Sequence, residues 1–234
     1  MTKVLFKGVV PDQISSLTLG PGEYCQHMVT TRFTQLPFPI SQLQMLSLDL
    51  CDVICNIPFM FPDEGFPQLT NLRRLELSFL LSSDQQTMLF VCSFLRASPA
   101  LHKLVLKYQI DRFGNAQSTV DNPQIWGDEI AFGERHQQMV NDYGCKYDLL
   151  EEVEFLGWNG LKCDYELVTH LIEAAGSLER VIDARHPFNV GRSEVLRLSR
   201  TRVTATENAR NRARDLEAKL SPTTTLVVLE IGYV

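Results

Sequence analysis

One pattern returns along this chain at a nearly constant step. It is an aliphatic residue, two others, an aliphatic, one other, and an aliphatic again. It reads Ile14-Leu17-Leu19, Leu43-Leu46-Leu48, Leu72-Leu75-Leu77 and Leu101-Leu104-Leu106, so the starts 14, 43, 72 and 101 are separated by 29 residues each time. Two more copies begin at Leu150 (with Val153 and Phe155) and Leu178 (with Val181), and Leu226-Leu229-Ile231 reads as the last. The intervals from 101 to 150 and from 178 to 226 are 49 and 48 residues, each about twenty longer than one period. Each is expected to be one unit carrying an insertion. A unit of this size cannot bury its own apolar face, whereas stacked neighbours can, so the repeat imposes a one-dimensional array.

A step of 28 to 29 residues lies at the long end of the leucine-rich-repeat range. The expected fold is α/β, a leucine-rich-repeat solenoid of about seven units, with parallel strands on the concave face and helices or turns on the convex face. In a strand, alternate side chains face opposite sides. The fourth and sixth slots therefore point into the core, and the third, fifth and seventh point outward. Parallel neighbours need a crossover connection, usually a helix. Two are readable. Ser83 can cap a helix with Met88, Val91, Cys92 and Leu95 at helical spacing, and Asp164 can cap one with Leu167, Val168, Leu171, Ile172 and Ala175. FLRASPALHKLVL (94–106) aligns without gaps on LIEAAGSLERVID (171–183), which shows the repetition independently of the leucine spacing.

The pattern divides the chain into four repeats over 1–110, an irregular insertion over 111–147, and further repeats over 148–234 with a charged helix near 204–220. The insertion is turn-rich, with Gly114, Gly127, Gly133 and Gly144 as punctuation. It reads either as a plain surface loop or as a binding loop anchored by Trp126 and Phe132. Residues 192–219 hold eight Arg/Lys and four Asp/Glu, a local +4 within a chain of net charge −6. Thr204 and Glu207 form a capping box there, and Ala209, Ala213, Leu216 and Leu220 make one apolar stripe that stops at Pro222. That is a docked helix with a solvated charged face.

Composition excludes more than it proposes. The acidic balance gives no footprint for nucleic acid. No apolar run is long enough to span a membrane, and MTKVLFKGVV does not resemble a secretory signal. Six scattered cysteines (Cys25, Cys51, Cys55, Cys92, Cys145, Cys163) suit reduced thiols in a cytoplasmic or nuclear protein better than a disulfide scaffold. Cys51 and Cys55 lack a second pair at zinc-ligand spacing, and Cys51 fits the turn slot of a repeat. Cys92 falls on the apolar stripe of its helix. None of His27, His102, His136, His170 and His186 sits in a catalytic motif, and His170 is expected on a helix surface. The expectation is a protein without catalytic residues, cofactor or metal.

What remains as a working surface is the outward face of the strands. Its third slots run Ser16, Met45, Arg74, Lys103, Glu152, Arg180 and Val228. The fifth run Thr18, Ser47, Glu76, Val105, Glu154, Ile182 and Glu230, and Lys107 occupies a seventh slot. Arg74, Glu76, Lys103, Lys107, Glu152, Glu154 and Arg180 are the candidate partner-binding residues. With neighbouring strands about 4.8 Å apart, these charges either satisfy one another as a ladder or form a mixed-charge patch that reads a partner.

LLEEVEFLGWNGLKCDYELVTHLIEAAGSLERVIDARHPF (149–188), ARDLEAKLSPTTTLVVL (213–229) and FPQLTNLRRLEL (66–77) resemble plant F-box/LRR proteins of the FBD type. The resemblance implies the target-recognition region of a ubiquitin-ligase substrate receptor, with an unknown target protein as partner. In that family an F-box docks a Skp-type adaptor. Here the first repeat begins at Ile14 with no F-box-like segment ahead of it, and LPFP at 36–39 lies inside the repeats. An adaptor is therefore expected only if an F-box exists upstream. The alternative is a ubiquitin-independent leucine-rich-repeat scaffold, or a competitor of full-length F-box paralogues.

Overall fold

The computed structural model describes residues 14–20, 23–31, 33–34, 36–50, 67–80, 85–109, 146–156, 162–185, 211, 214–220 and 222–230. Seven strands form one sheet in sequence order: β1 (Ser16–Leu19), β2 (Met45–Asp49), β3 (Arg74–Leu80), β4 (Lys103–Gln109), β5 (Glu152–Leu156), β6 (Arg180–Arg185) and β7 (Thr225–Glu230). Every pairing is parallel. Among the described residues, α1 (Glu23–Thr30), α2 (Gln85–Ala97) and α3 (Lys162–Ala174) lie between strands. The chain is thus the solenoid that its period implies.

The register follows the repeat through six strands. Ser16, Met45, Arg74, Lys103, Glu152 and Arg180 stand opposite one another in turn. The last step departs from expectation. Arg180 pairs with Thr225 and Val181 with Leu226, so Leu226 and Val228 hold the fourth and sixth slots and the motif starts at Thr223. Val228 and Glu230 are not the outward third and fifth residues; Thr225 and Val227 are. The cause is a run of apolar residues, Leu226-Val227-Val228-Leu229, in which alternation cannot define the phase. Hydrogen bonds decide it instead. Thr225 N–H donates to the Glu179 carbonyl at 2.8 Å, and the Thr224 hydroxyl donates to the Leu178 carbonyl at 2.6 Å.

Backbone bonding repeats as strictly as the leucines. The carbonyls of Ser15, Gln44, Arg73, His102 and Glu151 each accept two N–H groups from the following unit. Before each motif a turn closes: the N–H of Leu43, Leu72, Leu101, Leu150 and Leu178 donates to the carbonyl three residues back. Tyr147 occupies that turn position ahead of Leu150, and its N–H reaches the Ala174 carbonyl at 3.0 Å. It belongs structurally to the fifth repeat rather than to an insertion.

The inward slots of β2 to β5 are solvent-free. Leu46, Leu48, Leu75, Leu77, Leu104, Leu106, Val153 and Phe155 join Val91, Phe94 and Leu95 of α2 and Leu167, Val168 and Leu171 of α3 in one core. The helices therefore cover the face onto which the motif aliphatics project. Helices α2 and α3 span equivalent stretches of the two aligned segments, each ending four residues before its motif leucine. The start of α3 corrects one boundary. Helical backbone begins at Lys162, which puts Asp164 inside the first turn and not at the cap. Ser83 lies outside the described residues. Cys92 is partly buried against the core. Cys25 is fully buried, and burial, followed by the charge of Asp49, pushes its thiol up to about 12, so it stays protonated.

One buried hydroxyl sits poorly. Ser98 follows α2 in the turn before Leu101, and its Oγ is buried without a hydrogen-bond partner. The aligned residue of the sixth repeat is Ala175, also buried. Desolvating an unmatched hydroxyl costs free energy that a methyl group does not. Ser98→Ala is expected to leave stability unchanged or raise it by about 1 kcal/mol. A urea midpoint lower than wild type would show that the hydroxyl is satisfied in solution.

Candidate functional site

All seven candidate charged residues lie on strands β3 to β6, on the face opposite the helices. They occupy adjacent slots because the register is in phase, and they pair with one another. Arg74 donates from Nε to Glu76 Oε1 at 2.8 Å, and Lys107 Nζ reaches Glu76 Oε2 at 2.6 Å. Lys103 bridges Glu152 and Glu154, the latter at 2.9 Å, and Arg180 closes on the second oxygen of Glu152. Two clusters result, one centred on Glu76 and one on Glu152. Of the two arrangements expected from strand spacing, the self-satisfying ladder is present.

Burial is uneven on this face. Glu76 and Glu152 are buried, 6% and 8% exposed, although they point away from the core. Val105 stands in register between Glu76 and Glu154 on the neighbouring strands, and is only 1% exposed. It is absent from the core cluster. The outward face therefore carries a second, small buried layer that alternation alone does not reveal. The signal available in the sequence is a lone valine among long charged neighbours, whose stems can cover it.

Electrostatics follow from this packing. Burial acts to raise the Glu76 carboxyl, but the hydrogen bonds and charges of Lys107 and Arg74 outweigh it and hold the group below its ordinary value. For Lys103, burial acts downward, and the hydrogen bonds its ammonium donates to Glu152 and Glu154, with their charges, outweigh it and hold the group above the ordinary lysine value. The signs set two windows. A depressed carboxyl contributes stability above its unfolded pKa of about 4.3, lost as pH falls through the lower folded value. A raised ammonium contributes below about 10.4, and that contribution is lost as pH rises past the folded value. Glu76→Gln is expected to cost about 1–2 kcal/mol at neutral pH. The gap to wild type should close as urea titrations are carried down in pH through the lowered carboxyl value, because the wild-type group then takes up its proton too. A gap that persists there would assign the loss to packing.

Other candidates divide differently. Trp126 and Phe132 lie outside the described residues, as do Cys51, Cys55, His136 and His186. Of the basic C-terminal segment, residues 214–217 are helical. Leu216 is buried, Arg214, Asp215 and Glu217 are exposed, and Leu220 packs on the core, whereas Thr204, Glu207, Ala209 and Ala213 lie outside the described residues. Lys219 Nζ lies 4.9 Å from the Tyr165 ring centroid, tying this segment to α3. His170 is a correction. It is buried rather than on a helix surface, edge-on to Tyr147 with ring centroids 5.9 Å apart and its Nε2 3.4 Å from the tyrosine hydroxyl. Helical spacing put it beside the apolar stripe; the turn before β5 supplied the cover. Among the described residues, no group of three or more His, Cys, Asp or Glu is placed to hold a metal, and no helix is long and apolar enough to cross a membrane.

A parallel sheet of stacked units at a 29-residue step, with α1, α2 and α3 packed on one face, defines a leucine-rich-repeat domain, a protein-interaction architecture. The chain belongs to the plant leucine-rich-repeat family described as "At1g61320/AtMIF1, LRR domain", whose sequence pattern matches residues 9–231. The match concerns the repeat domain and does not bear on F-box or FBD kinship. Comparison with curated proteins and with solved structures finds no match.

Proposed function

We propose that this chain is a target-reading module, which engages a partner protein through the face of its sheet opposite α2 and α3 and works in the cytoplasm or nucleus. The observation that carries the proposal is the unbroken register of β1 to β6, which aligns polar side chains of six strands on one surface. Such a surface reads a partner through residues distant in sequence, with charge giving specificity more than affinity. The F-box/LRR resemblance of 66–77, 149–188 and 213–229 supports placing that partner among targets of a ubiquitin-ligase receptor. A photo-crosslinking residue at Thr18 or Ser47, both on the outward face, is expected to trap the partner. The same probe at Glu173, exposed on α3, should not. Equal trapping from both sides would sink the assignment.

A further inference from the structure

The charged face is not electrically even. Its carboxylates lie low, with side-chain exposures of 8% for Glu76, 11% for Glu152 and 22% for Glu154. Its cations stand higher: 44% for Arg74, 26% for Lys103, 36% for Lys107 and 57% for Arg180. Four cations against three carboxylates leave +1 on this patch, in a chain of net charge −6. We propose that strands β3 to β6 dock an acidic peptide segment of the partner, laid across the strands. This rests on the face opposite α2 and α3 being the partner surface.

The chemistry follows from which atoms an approaching chain meets. Each carboxylate is screened by the cation folded over it. The guanidinium groups offer five donors apiece and have not spent them all on Glu76 and Glu152. Arg74 and Arg180 occupy one row, on β3 and β6. Three strand spacings separate them by about 14 Å, and an extended peptide advances about 3.3 Å per residue. Two carboxylates about four residues apart therefore reach both arginines. Val105, buried at the centre, offers no apolar pocket, so recognition here is by charge. A nucleic-acid backbone fits poorly, because the acidic remainder of the chain repels it.

The arginines can be removed without orphaning their partners, since Glu76 keeps Lys107 and Glu152 keeps Lys103. Replacing both by glutamine changes the patch from +1 to −1. The whole chain would be titrated by fluorescence anisotropy with dye-labelled Asp/Glu-rich, Lys-rich and Ser-rich peptides and with a single-stranded oligonucleotide. Preferential binding of the acidic peptide is expected, weakened about tenfold or more in R74Q/R180Q. Glu154→Gln leaves every cation in place, raises the patch to +2 and should tighten binding. It keeps the test valid if the double variant folds poorly. Selection of random peptides against wild type, with counter-selection on Ser47→Trp, separates the two readings. Face-dependent peptides without acidic residues overturn this inference alone. An absence of face-dependent peptides overturns the surface itself. Tighter binding of the oligonucleotide, or acidic-peptide binding indifferent to both variants, also overturns the inference.

Discussion

Glu152→Lys is expected to lower unfolding free energy by about 3–5 kcal/mol, because it places a third cation at a buried position between two others. Glu152 is buried and holds Lys103 with one oxygen and Arg180 with the other. The size of the loss depends on sign, not only on broken bonds. Glu152→Leu should cost only about 1 kcal/mol, since Lys103 retains Glu154 and the exposed Arg180 can turn to water. Glu152→Gln should fall between them. Urea unfolding of the three variants tests the order, and a leucine variant as unstable as the lysine one would refute it. The same arithmetic rules out reversing Glu152 as a probe of partner binding, because loss of fold would imitate loss of capture. The exposed arginines are the proper handles.

Phe33→Ala is expected to cost about 3–5 kcal/mol, and Phe33→Gly about 1 kcal/mol less. Phe33 follows α1 with φ of 59°, a left-handed backbone that bulky residues rarely adopt. Its N–H donates to the Met28 carbonyl at 2.8 Å, so this conformation closes the helix end. The side chain is buried and meets Phe94 of α2 edge to face, with ring centroids 6.3 Å apart. Left-handed backbone costs about 1–2 kcal/mol, while burial and the aromatic pair contribute more. The phenylalanine therefore stays despite the strain. Alanine loses the ring and keeps the strain; glycine loses the ring and relieves it. Equal losses for the two variants would mean that the backbone there is relaxed.

The repeat was legible because its cause is local. Leucines at slots four and six face one way in any short strand, and the 29-residue step leaves a stack as the one way to bury them. The same phase put Arg74, Lys103, Glu152 and Arg180 in line before any coordinate was known. Phase failed at β7, where four apolar residues run together and Thr223 stands in place of a leucine. It could not place Phe33, since no spacing rule puts phenylalanine in a left-handed turn. His170 and Tyr147 were missed because each is buried by the other's element.

By itself, the sequence determined the α/β solenoid, the strand order, five of the six registers between strands and the charged row. These depend on periodicity, which one chain states on its own. Tertiary structure alone decided which charges are covered and which stand free. Glu76, Val105 and Glu152 occupy slots that alternation marks as outward, yet neighbouring strands bury them. Alternation sets the direction of a side chain, whereas exposure depends on the length of its neighbours. A mixed row of charges in the sequence thereby becomes a face whose cations stand higher than its carboxylates.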